Sequence, residues 1–241
     1  MNRLTTSCKQ LASVVFVALL TTTSLSGQST AKGLSFGICK PVSERTAEVG
    51  CWIVIDQPVG KIEQGHAFWH LDVYPTRPEA EKAKGPRGIV IESLGKVWLL
   101  TIEQEGWRPT LPGEHIAEIG PLPVTAGEQY SALFMEVIFN PGMSSEIHTH
   151  SGPEAWYNLA GEACLETPSG QLVARAGGPP VIVPGSVPMR LTTTGAEQRR
   201  GLTLILHESS KLPTTMIHDW TPKGLCKVPQ VQGRVSVDLN N

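Results

Sequence analysis

Apolar and polar positions alternate in short runs along most of this chain, and glycine and proline cut the runs. A period of two puts alternate side chains of a strand on opposite faces. Residues 51–55 and 67–74 are the first such runs. A short helix is predicted over residues 78–84. Thr76 can cap it, Glu79 follows three places later, Pro78 sits in the first turn, and Gly85-Pro86 stops it. Residues 88–92 and 96–102 read as a hairpin around Ser93-Leu94-Gly95. Residues 32–50 read as an irregular leader. Residues 106–128, rich in glycine and proline, read as a linker. From Tyr130 onward the pattern is almost purely β, with strands over 130–139, 147–150, 154–159, 163–167, 171–174, 181–183, 189–192 and 201–207. Short, evenly spaced strands between turns predict an antiparallel sandwich or jelly roll. The fold class is therefore mainly β, with a smaller α+β region ahead of the barrel.

The ends change the picture. Arg3 and Lys9 precede or flank the apolar run 11–20, and Ser29-Thr30-Ala31 supplies the small residues of a cleavage site. That is the pattern of a secretory signal peptide, and the run is shorter than the roughly 20 residues of a spanning helix. An uncleaved membrane anchor is the competing reading. The expected organisation is a signal peptide over 1–31, an amino-terminal α+β region over 32–119, a β-barrel over 120–212 and a tail over 213–241. An exported protein, periplasmic or extracellular, with no stable membrane anchor after cleavage follows from this. The formal net charge is −2 and only 17% of residues are charged, so no clustered basic face is available for nucleic acid. Arg199-Arg200 is too short to form one. Beyond the leader stand four cysteines, Cys39, Cys51, Cys164 and Cys226. An even count in an exported chain predicts two disulfides. Cys39–Cys51 is the first choice because the two are near in sequence, and Cys164–Cys226 would then tie the tail to the core. Four free or mixed thiols are the alternative, and no pair has zinc-knuckle spacing.

The densest chemistry lies between Pro141 and Gly161. His148 and His150 are one residue apart, so in a strand their imidazoles share a face. Glu154 follows the Gly152-Pro153 turn and can add a carboxylate oxygen. Two imidazoles and a carboxylate are the donor set of metal sites with open positions. His148 and Glu154 are also the candidates for acid–base catalysis. By the same alternation Trp156 and Asn158 share the face of Glu154, and with Met189 and Arg190 they are the expected pocket-lining residues. Arg190 could meet an anion, although an exposed strand arginine is the plainer reading. Glu146 is read as a solvated loop residue before it is read as a base.

The spacing of Gly142, His148, His150, Glu154 and Gly161 resembles the first motif of the cupin superfamily at every fixed position. A second motif is partly present: Gly178 and Pro184 fit, Gly185 stands one place early, and Met189 occupies the place of the usual last histidine ligand. The resemblance covers roughly residues 120–210. It implies a cupin-type jelly-roll barrel, a divalent transition metal (iron, manganese, nickel or zinc), a small-molecule ligand and a homodimer. With Met189 in place of histidine, the metal ligands reduce to His148, His150 and Glu154. That set resembles the facial triad of non-haem iron oxygenases. The expected function is a metal-dependent enzyme, dioxygenase-like or related, acting on a small organic molecule. The alternatives are a non-catalytic small-molecule-binding cupin of the cell envelope and a metal-independent isomerase or lyase. His207, at the end of the last long strand, is the obvious substitute ligand. His66 and His70, with Phe68 between them, share a strand face but lack a third ligand.

Overall fold

In the computed structural model the described residues are 35–36 and 39–228; the expected signal peptide lies outside them. In chain order the strands are β1 (Ser35–Phe36), β2 (Lys40–Pro41), β3 (Gly50–Lys61), β4 (His66–Tyr74), β5 (Gly88–Ser93), β6 (Lys96–Glu103), β7 (Glu114–Pro123) and β8 (Gln129–Phe139). They continue with β9 (Ser144–Ser145), β10 (His148–His150), β11 (Glu154–Ala160), β12 (Glu162–Thr167), β13 (Gly170–Arg175), β14 (Val181–Val183), β15 (Arg190–Thr193), β16 (Arg199–Glu208) and β17 (Thr214–Met216). The helix α1 (Arg77–Ala83) follows β4. Its cap is the expected one: Thr76 Oγ1 accepts from the Glu79 N–H at 3.4 Å and donates to the Glu79 carboxylate at 2.8 Å. The β5–β6 turn is also the expected one, with Leu94 and Gly95 both at positive φ, as a tight hairpin turn requires.

Three layers follow from the pairing. A six-stranded sheet runs β14-β11-β16-β8-β3-β2, and a five-stranded sheet runs β1-β9-β15-β12-β13. These two enclose the barrel. A four-stranded sheet, β5-β6-β4-β7, makes the third layer. The strand β8 shows why the layers hold together. Its odd-numbered apolar residues, Leu133, Met135, Val137 and Phe139, join Trp156, Leu165, Met189, Leu191 and Ile205 inside the barrel. Its even-numbered neighbours, Ala132 and Phe134, join Trp69, Leu71, Trp98, Leu100 and Leu204 in the core beneath the four-stranded sheet. Both faces of β8 are buried, so its sequence is apolar almost throughout instead of alternating. On this side the barrel wall is covered by the outer sheet, against which its outward-pointing residues pack.

The expected region 32–119 thus contributes in two ways. Gly50–Lys61 pairs with β8 in the barrel sheet, while residues 66–123 form the outer layer with α1. Residues 106–128 differ from the expected linker, because Glu114–Pro123 is a strand paired with β4. It lies at the sheet edge, where a proline need not donate to a ladder, so Pro121 and Pro123 are tolerated. Both expected disulfides form, Cys39–Cys51 and Cys164–Cys226. Among the described residues no helix is long and apolar enough to cross a membrane.

His70 and His66 hold no third ligand. His66 is exposed and meets Phe68 edge-on. His70 is fully buried, with Nε2 2.9 Å from the Gln104 carbonyl oxygen and Nδ1 3.5 Å from Glu118 Oε2. Burial pushes the His70 pKa below its ordinary 6.5, against the opposing pull of the Gln104 carbonyl and Glu118. The unfolded chain therefore takes the proton first. The stabilising effect of the neutral ring is complete above pH 6.5 and is lost as pH falls below it. Urea midpoints are expected to drop between pH 7.5 and 5.5, and His70→Gln to flatten that drop. An unchanged slope in the variant would assign the pH dependence to other groups.

Candidate metal centre

The expected group comes together. Donor atoms of His148, His150 and Glu154 lie within 4.8 Å of one another, the single such group of three among the described residues. Donors bonded to one ion at about 2.0–2.2 Å stand roughly 3–4 Å apart, so small side-chain shifts close this group. His148 and His150 project from β10 on one face, with ring centroids 4.8 Å apart. Glu154 opens β11, one tight turn later. Gly152 makes that turn: a Cβ there would stand 2.0 Å from the Leu206 carbonyl oxygen. The turn between β10 and β11 can lie against β16 only because this residue has no side chain.

The hydrogen bonds decide what the imidazoles can do. His148 Nδ1 lies 2.8 Å from the Glu146 carbonyl oxygen, and His150 Nδ1 lies 3.0 Å from that of Pro213. A carbonyl only accepts, so each Nδ1 carries a proton, and in the neutral form of each ring Nε2 keeps its lone pair. His150 Nε2 then faces Glu154 Oε2 at 3.6 Å, too far for a hydrogen bond. Both atoms are buried and neither has a hydrogen-bond partner. A cation between them, whether a metal ion or the proton of an imidazolium, would join the two. Burial pushes the His148 pKa down, and neighbouring His150 pushes it further. Burial alone would raise Glu154, yet His150 and His148 hold its carboxyl below the usual range. A neutral His148 and an ionised Glu154 are the forms that ligate.

The group stands at the wall of a cavity of about 310 Å³. Leu133, Met135, Val137, Leu165, Leu191 and Ile205 form much of the remaining surface, along with the Cys39–Cys51 disulfide. Trp156 lines it; Asn158, Met189 and Arg190 do not. Asn158 lies beyond the cavity end, buried, with its amide donating to the Ala174 carbonyl at 3.1 Å. Met189 is fully buried in the apolar cluster, and its backbone pairs with that of His148. Arg190 pairs across β15 with Glu166, on the opposite side of the strand from Leu191. His207 is no substitute ligand, because its Nε2 is taken by Asp56 at 3.1 Å. Glu146 does border the cavity.

Two features of the site lie outside the sequence expectations. One is the chain after β16. Leu212, Pro213, Thr214 and Met216 line the cavity, and β17 pairs with the ligand strand β10. The other is Arg199, which opens β16 and is fully buried in the cavity wall. Burial lowers its pKa to about 10, with Glu154 opposing, so it stays cationic at neutral pH. Alternation could have found it: Arg199 stands an even number of places from Thr203 and Ile205, both of which face the cavity.

Two facing sheets with this ligand group at one end make a double-sheet β-barrel of the jelly-roll type. No protein-family model and no curated protein sequence matches the chain. Among solved structures it is similar to a cupin-like protein from Thermotoga maritima, 16% identical, with a TM-score of 0.33 over 36% of this chain and 64% of that one. It is also similar to a cupin superfamily protein from Desulfitobacterium hafniense, 15% identical, TM-score 0.29, over 36% of this chain and 74% of that one. Oxalate oxidase in complex with glycolate is 16% identical, TM-score 0.31, over 36% of this chain and 46% of the enzyme.

Proposed function

We propose that this chain is an exported cupin protein that binds one divalent transition metal through His148, His150 and Glu154. We propose further that it acts as a metal-dependent enzyme, dioxygenase-like or related, on a small organic molecule. One observation carries the reading. Both Nδ1 atoms donate to backbone carbonyls, while His150 Nε2 and Glu154 Oε2 are buried, lack a hydrogen-bond partner and face each other. Leaving such atoms orphaned costs about 1–3 kcal/mol each, and a cation between them removes that cost. A bound divalent ion would supply a Lewis acid with open positions toward the cavity. Iron, manganese, nickel and zinc all accept this donor set. Met189, buried beside His148, leaves the protein with three donors instead of four. The cavity wall excludes water with aliphatic side chains and admits a ligand of small organic size. Two disulfides support an oxidising compartment and so agree with export.

Elemental analysis of the purified full chain tests the metal. Wild type is expected to carry close to one equivalent. His148→Ala and Glu154→Gln are each expected to carry less than about a tenth of that after dialysis, since a first ligand is lost. Wild type below a tenth of an equivalent, or content indifferent to His148→Ala, would remove the reading. Turnover that survives chelation would remove the enzymatic part alone.

A further inference from the structure

Arg199 is not explained by the three-donor group. Its guanidinium lies 4.7 Å from the ring centroid of Trp156, and Nε donates to Asn158 Oδ1 at 3.0 Å. Nη2 reaches Thr203 Oγ1 at 3.4 Å. All three partners are neutral, and among the described residues no carboxylate lies within 4.0 Å of the guanidinium. Asn158 is itself fixed, because its Nδ2 donates to Ala174, which turns its oxygen to Arg199. Gly201 makes room for this contact: a Cβ there would stand 2.9 Å from Asn158 Oδ1. The arginine is thus held from behind by two of its five N–H donors, and it forms part of the cavity wall.

A buried arginine with no carboxylate at ion-pair distance is costly; Glu154 acts on this one only from farther away, so an anion at the guanidinium would lower that cost. The charge balance of the cavity points the same way. A divalent ion with Arg199 outweighs Glu154, and a positive charge is left over even when Glu146 at the wall is counted. The rest of the wall is apolar. A ligand that balances both parts has one anionic head and a hydrocarbon body. Arginine favours carboxylate heads because its planar fork meets two oxygens at once.

We propose that the cavity takes an amphiphilic monocarboxylate, with Arg199 as the residue that selects the carboxylate and Leu133, Met135, Val137 and Ile205 receiving the hydrocarbon part. The assignment deepens the metal reading and rests on it for the charge balance. Asn158 acts through Arg199, as a positioning residue.

Titration calorimetry with hexanoate and hexanamide tests this on the full chain, loaded with metal and again after chelation. Wild type is expected to bind hexanoate at least about tenfold more tightly than hexanamide. Arg199→Met should bring the two within about threefold while metal content stays at the wild-type level. Arg199→Lys keeps the charge without the fork and should retain a reduced preference; it is the variant to read if Arg199→Met does not fold. Equal affinities in wild type, no hexanoate binding, or an undiminished preference in both variants would overturn the assignment. Failure of the metal reading is seen separately, as wild type that takes up no metal. The hexanoate preference of that metal-free protein, and its loss in Arg199→Met, then still decides the role of Arg199.

Discussion

Removing the Cys164–Cys226 disulfide is expected to cost about 4 kcal/mol of stability and to weaken metal binding roughly tenfold or more. The first figure follows from chain entropy. The bridge spans 62 residues, and freeing so long a loop enlarges the unfolded ensemble substantially. The second follows from where that loop ends. Residues after β16 line the cavity, and the Pro213 carbonyl accepts a hydrogen bond from His150 Nδ1. Beyond β17 the chain is tied down at Glu166, whose carboxylate accepts from the backbone N–H groups of Lys223 and Leu225, and then at Cys226. A freed tail lets Pro213 leave His150, and the ring loses the contact that fixes its tautomer. Urea denaturation and a competition assay for metal, on Cys164→Ser/Cys226→Ser against wild type, measure both. The Cys39→Ser/Cys51→Ser pair, whose bridge spans 12 residues, should show the smaller entropic loss. Full metal affinity in the Cys164→Ser/Cys226→Ser protein would mean that β10–β17 pairing alone holds the strap.

The strap was legible in the cysteine count but not in its role. Parity and proximity gave the pairing, whereas the placing of Leu212, Pro213, Thr214 and Met216 at the cavity depends on tertiary contacts that no local pattern encodes. The ligand group was legible because a period of two and a single turn suffice to bring His148, His150 and Glu154 together. Asn158 shows the limit of the same rule. It shares a strand face with Glu154, but four residues of strand carry it past the end of the cavity to where it holds Arg199. Arg199 escaped because the last long strand was expected to begin at residue 201. Gly201 weakens the β pattern there, and a strand that starts at 199 puts the arginine inside. The edge strand Glu114–Pro123 escaped for a related reason. Its glycine and prolines signal a loop in a sheet interior but are harmless at an edge.

Trp69→Ala is expected to destabilise the whole described unit by about 3–5 kcal/mol, the usual cost of deleting a large buried aromatic side chain. Trp69 has no exposed surface, and its ring centroid lies 5.7 Å from that of Phe134 across the space between the outer sheet and the barrel sheet. The consequence reaches the site. Phe134 alternates along β8 with Leu133 and Met135, which form the cavity wall, and β8 pairs with β16, which carries Arg199. A cavity left by Trp69 therefore loosens the strand that both cores share. If the layers unfold as one, tryptophan fluorescence and loss of bound metal will follow coincident urea curves, shifted together in the variant. Curves that separate, with metal retained after the fluorescence change, would show that the barrel holds its site without the outer sheet.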